Sequence, residues 1–309
     1  MQIAMLILNQ MLKLFLMLLL GWLVVKTKLL KSSDSKVLST IAVYLVTPCV
    51  IINAFQIDST PEAAKGLLLA FAAAISSQIM FLLLISTVGK KFSPVERASI
   101  MYSNAANMII PIVQAVLGAE WVLYTSAYIA VQIILIWTHG KSMISGDKGF
   151  SLKKIFTNFN IISMFIGLAL FFFDWKLPVL VSDTMNSISS MVGPMGMLIL
   201  GMLMADLNLK EVLKNKGIYL IAGIRLLFCP LLVLLLIRLS GAYNLMADAA
   251  TILFIPFLAS CAPPAVNITQ MAQVYGEDAK HASAINVLSI CLCLFTTPLL
   301  AGLYWTLIG

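Results

Sequence analysis

Two polar, proline-containing stretches interrupt long apolar runs of the sequence, at residues 102–111 and 259–267. Proline removes a backbone hydrogen-bond donor and clashes with the preceding turn, so each stretch predicts a broken helix. The N–H groups and the positive dipole at the start of a second half-helix favour an anion. We expect these half-helices to begin at Pro111 and Pro264, and we predict an anion-binding site there. Its candidate residues in the two stretches are Asn104, Asn107, Pro111, Ser260, Pro263, Pro264 and Asn267.

A simpler interpretation of both stretches stays open, in which the prolines kink two helices and the asparagines bond neighbouring helices. Two interruptions at matching positions favour a transport site instead, because paired broken helices mark the binding sites of secondary transporters. Arg225, which lies inside another apolar run, is a further substrate-binding candidate. Its side chain either reaches towards the membrane surface or faces the cavity as a cation that favours a carboxylate.

The composition is that of a membrane protein. The chain has 309 residues, of which 61% are hydrophobic and 11% charged, and its mean hydropathy is +1.00. Soluble domains are about 45–50% apolar and about 25% charged, so a soluble enzyme, a disordered chain and a secreted disulfide scaffold are all excluded. The five cysteines lie inside apolar runs and show neither disulfide nor metal spacing, and we expect no cofactor. The net charge of +7 resides mainly in loops, so we expect no nucleic-acid partner.

Ten apolar runs predict an all-α polytopic protein with ten spans. The predicted spans are residues 3–25, 37–57, 66–88, 98–118, 120–139, 157–173, 179–205, 218–239, 248–274 and 282–307. Fifteen Lys and Arg residues fall in the loops on one side and three in those on the other. The positive-inside rule therefore places both termini outside the cytoplasm, in a multi-pass protein of the cell membrane.

The two halves of the sequence also match each other. The matching pairs are Gly21 with Gly167, Pro48 with Pro194, Lys65-Gly66 with Lys216-Gly217, and Pro111 with Pro264. Their offsets grow slowly from 146 to 153 residues, as a loop insertion would produce. Five spans per repeat is an odd number, so the second repeat must be inverted in the membrane. We divide the chain into a first repeat (1–140), a cytoplasmic connecting loop (141–156) and a second, inverted repeat (157–309).

Residues 259–267, read on through Tyr275-Gly276 to Pro298, resemble the last two spans of the auxin efflux carrier family. That family includes bacterial malate and malonate permeases and the plant PIN-type auxin exporters. The resemblance implies a fold like that of sodium/proton antiporters and bile-acid transporters, with spans 4 and 9 crossing in mid-membrane. It also implies a transport bundle (spans 3–5 and 8–10), a scaffold bundle that forms a homodimer (spans 1, 2, 6 and 7), and small organic anions as substrates. Plant members carry Asn-Pro-Asn in span 4; the Asn104-Ala105-Ala106-Asn107 of this chain favours a bacterial-type carrier.

The leading hypothesis is thus a secondary carrier of a mono- or dicarboxylate or an auxin-like acid, working by elevator-type alternating access in the lipid bilayer. A sodium-coupled symporter is one alternative, since Asn267, Gln270 and Gln273 recur at helical spacing and offer oxygen ligands. A membrane receptor that binds an anion without transporting it is another. Catalysis is disfavoured, because neither His139 nor His281 lies in a motif that joins a nucleophile to a base.

Overall fold

The computed structural model describes residues 2–56, 60–146, 159–206, 212 and 214–309 of the chain. All regular structure in these residues is helical. The main helices are α1 (Gln2–Lys26), α2 (Ser32–Ala54), α3 (Pro61–Thr87), α4 (Pro94–Met101), α5 (Ile110–Val116), α6 (Ala119–Ser145), α7 (Phe159–Phe172), α8 (Val179–Met204), α9 (Lys216–Ser240), α10 (Ala249–Cys261), α11 (Val266–Tyr275) and α12 (Ala279–Leu307). Within the described ranges, seven helices are long and apolar enough to cross a membrane: α1, α2, α3, α6, α8, α9 and α12. This is the architecture of a polytopic membrane protein.

Two pairs of shorter helices are separated by non-helical breaks. Residues 102–104 separate α4 from a π-helical turn, Ala105–Ile109, that runs directly into α5. Residues 262–265 separate α10 from α11. The predicted starting points were therefore wrong, since the helical backbone resumes at Ala105, before Pro111, and at Val266, after Pro264. Pro264 itself lies in the break, where it forms an isolated antiparallel bridge with Ser103.

The helix continues through Pro111 because a π-helical turn, which is wider than an α-helical turn, precedes this proline. Three π-helical turns of the described chain end two residues before a proline: Ala42–Val46 before Pro48, Ala105–Ile109 before Pro111, and Ile224–Phe228 before Pro230. A proline in an α-helix clashes with the carbonyl four residues earlier and leaves it without a donor. That carbonyl lies inside the π-helical turn in each case. The wider turn moves it away from the proline ring and so accommodates the ring. Pro111 thus lies within a continuous helical segment rather than starting it.

Glycines allow α1 and α8 to pack with their backbones in contact. A Cβ atom at Gly201 would lie 1.9 Å from the Leu18 carbonyl oxygen, and one at Gly21 would lie 2.3 Å from that of Leu198. Small residues permit this close approach between membrane helices. On the outside, α3 exposes a stripe of large apolar side chains to the bilayer, including Leu68, which is 71% exposed.

Candidate substrate site at the paired helix breaks

The two breaks meet and hydrogen-bond to each other. The N–H of Asn104 donates to the Pro263 carbonyl at 2.8 Å, and the N–H of Ala265 donates to the Tyr102 carbonyl at 2.9 Å. Hydrocarbon offers no water to an unpaired backbone group, so a break inside a membrane protein must find partners within the protein. Each break supplies them to the other. We call residues 102–104 and 262–265 together the junction.

Gln132 on α6 completes the first break. Its side-chain Oε1 accepts from the Ser103 N–H at 3.0 Å and from the Ser103 hydroxyl at 2.8 Å. Its Nε2 donates to the Ser103 carbonyl at 2.7 Å. The side-chain amide of Gln132 thus makes the same pair of backbone hydrogen bonds to Ser103 that a peptide group of an adjacent strand would make. Sequence analysis missed Gln132, although a glutamine in the middle of an apolar span was a signal that it has a buried partner.

Arg225 on α9 binds the carbonyl ends of both first half-helices. It is fully buried, and its Nε donates to the Ala262 carbonyl at 3.0 Å. Its Nη1 lies 3.0 Å and 3.4 Å from the Ile100 and Met101 carbonyls, and its Nη2 lies 3.3 Å from that of Ala259. A cation at the C-terminal end of a helix is favourable, and this one serves α4 and α10 together. The buried guanidinium does not reach the membrane surface.

The predicted site residues have different positions around the junction. Asn104 is 4% exposed and precedes the turn Ala105–Ile109, while Asn267 is half-buried at the second position of α11. The Ser260 hydroxyl donates back to the Phe257 carbonyl of its own helix at 2.5 Å. Asn107 belongs to the π-helical turn, but its side chain lies outside the described residues, as do those of Gln270 and Gln273.

A narrow crevice of about 20 Å³ lies beside the start of α11, between that helix, α8 and α12. Thr269, Ser283 and Asn286 provide its polar groups, and Leu200 and Leu203 of α8 face them. The Asn286 Oδ1 atom is buried and has no hydrogen-bond partner among the described residues. Buried polar atoms are nearly always paired, so this one marks a place for water or a ligand. This volume admits a single water molecule.

A family model described as "Membrane transport protein" matches the chain twice, over residues 6–153 and 148–301. The two matches together span almost the whole sequence. The chain belongs to this family. Membership of the membrane transport protein family, which is the auxin efflux and PIN-like family, makes the protein a multi-pass membrane transporter and confirms the resemblance found in residues 259–298. No curated protein matches the chain.

Proposed function

We propose that this transporter is a secondary carrier of a small organic anion, and that the anion binds at the junction. The observation that carries the proposal is the distribution of charge around the two breaks. The C-terminal ends of α4 and α10 are bound by Arg225. The N-terminal ends of the second halves, at Ala105 and Val266, have no such counter-charge in the sequence around them.

The balance of these charges is positive. Each helix end carries about half an elementary charge, so the single charge of Arg225 offsets the two negative ends that it binds. The two positive ends then remain, and together they amount to about one positive charge. The sequence contains no Asp or Glu from residue 98 to 118 or from 249 to 275. A carboxylate fits this balance, and a sodium ion does not, which favours the anion carrier over the sodium-coupled alternative.

Several side chains would contribute to the site in this proposal. Asn104 and Asn267 lie where the second halves begin, and the same role is proposed for Asn107. Pro263, Pro264 and Ser260 shape the second break, while Pro111 lies in the helix beyond the first break. Arg225 contributes through the positive electrostatic potential that its guanidinium creates at the junction. Asn286 adds a side-chain amide on the far side of the crevice. A flip of this amide exchanges the positions of its nitrogen and oxygen, so it can offer either a donor or an acceptor.

An inverted repeat of two five-span halves remains part of the proposal. The seven long helices, α7 and the two broken pairs would make ten crossings. Two matching glycines lie against matching spans: Gly21 of α1 packs on the backbone of Leu198 in α8, and Gly167 of α7 packs on the side chain of Phe55, next to α2. A two-fold rotation that places one five-span repeat on the other would place the contact of α1 with α8 on the contact of α7 with the end of α2. The two family matches meet at residues 148–153, within the proposed connecting loop 141–156 between the repeats 1–140 and 157–309.

Elevator-type movement fits the way the helices pack. In the proposal α1, α2, α7 and α8 form a fixed scaffold, through which the protein forms a homodimer, and the remaining helices move against it. The crevice lies at this boundary, since α8 faces α11 and α12 across it. Pro111 also packs there, with its Cβ 3.1 Å from the position of a Cβ at Gly193. Such a boundary gives a substrate at the junction access to either side as the bundles shift.

Counterflow in proteoliposomes tests the proposed function. Vesicles preloaded with unlabelled malate, pyruvate or indole acetate receive the same labelled acid outside. A carrier gives saturable uptake that the internal acid accelerates, without a sodium gradient. Saturable binding without exchange would establish a receptor instead, and uptake that requires a sodium gradient would establish the symporter. Phosphatase and fluorescent-protein fusions test the proposed position of both termini outside the cytoplasm of the cell membrane.

A further inference from the structure

A cavity of about 610 Å³ opens on the surface of the protein, between the end of α3, the start of α4 and the end of α6. Its α3 wall is apolar at one end, where Ile79 and Leu83 are 51% and 61% exposed on the bilayer-facing stripe. Ser86 lies one turn further along α3, and Arg97 and His139 lie beside it in the lining. The cavity therefore combines an apolar entrance from the bilayer with a polar, basic end. Its size is within the range of ligand pockets.

Arg97 is half-buried at the basic end of the cavity. Its Nε atom is buried and has no hydrogen-bond partner in the part of the chain that the structure describes. A buried charged donor without an acceptor is costly. The guanidinium fork matches the oxygens of a phosphate group, and the Ser142 hydroxyl lines the same cavity.

His139 faces the cavity with one side of its ring fixed. Its Nδ1 atom lies 2.9 Å from the Tyr102 hydroxyl, which itself donates to the Leu135 carbonyl at 3.1 Å. Nδ1 therefore donates to the hydroxyl, and Nε2 donates to a phosphate oxygen when the ring is protonated. Trp137, two residues earlier on α6, is 37% exposed, and tryptophans collect at the level of the lipid headgroups. Lys90 and Lys91 end the turn that follows α3, and basic residues near the membrane surface attract anionic lipids.

We propose that this cavity binds an anionic phospholipid, with its phosphate between Arg97, His139 and Ser142 and an acyl chain along Ile79 and Leu83. The apolar entrance decides for a lipid over free phosphate, because a soluble anion gains nothing from an exposed leucine stripe. The proposal rests on the protein being embedded in a bilayer and not on the substrate or the transport cycle. Tyr102 joins the site to the junction, since its hydroxyl contacts His139 and its carbonyl bonds Ala265.

Lipid binding to the purified full-length protein tests the proposal. Native mass spectrometry counts bound phosphatidylglycerol, and thermal unfolding compares nanodiscs of phosphatidylcholine with and without phosphatidylglycerol. We expect phosphatidylglycerol to bind and to stabilise the protein, and Arg97→Gln to weaken binding by about tenfold, the value of one strong hydrogen bond to a charged group. Arg97→Lys should recover part of the affinity. Lys36→Gln removes an exposed charge outside the cavity and should bind as the parent does.

Three results would overturn the proposal. Arg97→Gln that folds and binds phosphatidylglycerol like the parent would place the lipid elsewhere. Inorganic phosphate that stabilises the detergent-purified protein as strongly as phosphatidylglycerol would identify a site for a soluble anion. If Arg97→Gln does not fold, His139→Gln replaces it as the test; a several-fold loss of phosphatidylglycerol affinity supports the proposal, and unchanged affinity rejects it.

Discussion

The two breaks that meet at the junction are produced by different means. Residues 262–265 contain two consecutive prolines, which fix φ and remove two backbone donors, so this break is encoded in its own sequence. Residues 102–104 contain no proline. They are held extended by the amide of Gln132, 29 residues further along the chain. The comparison teaches that a broken membrane helix can be encoded locally or by side chains distant in the sequence, and that the second kind depends on contacts made from other helices.

Arg225→Gln has the largest expected effect, because Arg225 serves both breaks. The substitution leaves four buried carbonyl groups without their charged donor and two helix ends without a cation. We expect a loss of stability of about 3–5 kcal/mol, because each buried carbonyl left unpaired costs about 1–3 kcal/mol and glutamine can pair only some of them. Thermal unfolding in detergent measures it. Arg225→Lys keeps the charge without the fork and should recover only part; a parent-like melting temperature for Arg225→Gln would show that neither break depends on this side chain.

Gln132→Leu separates the two kinds of break. It removes all three bonds to Ser103 and leaves residues 262–265 with their prolines. We expect a loss of about 2–3 kcal/mol, since buried backbone groups become unpaired. Gln78→Leu is the matched control, because Gln78 makes one described bond, to the Tyr128 hydroxyl, and should cost about 1 kcal/mol. Equal losses for the two variants in thermal unfolding would contradict the role assigned to Gln132.

Pro264→Ala affects the locally encoded break, and its expected effect on stability is smaller. Pro263 still interrupts the helix, and the bonds of Asn104 and Ala265 do not involve the replaced ring. We expect a stability change of about 1 kcal/mol or less but slower turnover, because the break becomes less defined. Pro48→Ala is the control, since Pro48 also follows a π-helical turn but lies in α2, outside both breaks. Transport rate and substrate affinity in proteoliposomes check both variants, and Pro264→Ala with a parent-like rate would count against the account.

Glu96→Gln has the smallest expected effect, because Glu96 begins α4 before the predicted span and contacts neither break. Burial raises the pKa of Glu96, but bonds from the Ser93 N–H and His281 outweigh it, and the pKa lies below its ordinary value of 4.5. The carboxylate therefore stabilises the fold at neutral pH, and this stabilisation is lost as pH falls through the lowered pKa. We expect a slightly lower melting temperature for the variant at neutral pH that converges with the parent in acid. A gap that widens in acid would contradict this.

The same contrast explains what could be predicted from the sequence. Apolar runs gave the helices, because burial in lipid depends on composition, and the second break was located to within two residues by Pro263 and Pro264. The first break lies within the predicted stretch 102–111, but the start of the following half-helix was misplaced at Pro111, because Gln132 holds residues 102–104 and a sequence pattern does not reveal such distant pairs. Arg225 was recognised as unusual, but its partners are backbone carbonyls, which no sequence pattern marks.

The central claim is that the positive starts of the second half-helices bind an organic anion, and Asn267→Asp tests it most directly. Asn267 is half-buried at the second position of α11, where an aspartate stabilises the helix but occupies the site with its own negative charge. Affinity for the acid that exchanges in counterflow is measured by thermal shift and isothermal titration, with Asn267→Ser as the neutral control. We predict that Asn267→Asp folds normally and loses at least about tenfold in affinity, while Asn267→Ser stays within a few-fold of the parent. Parent-like affinity of Asn267→Asp would contradict the account.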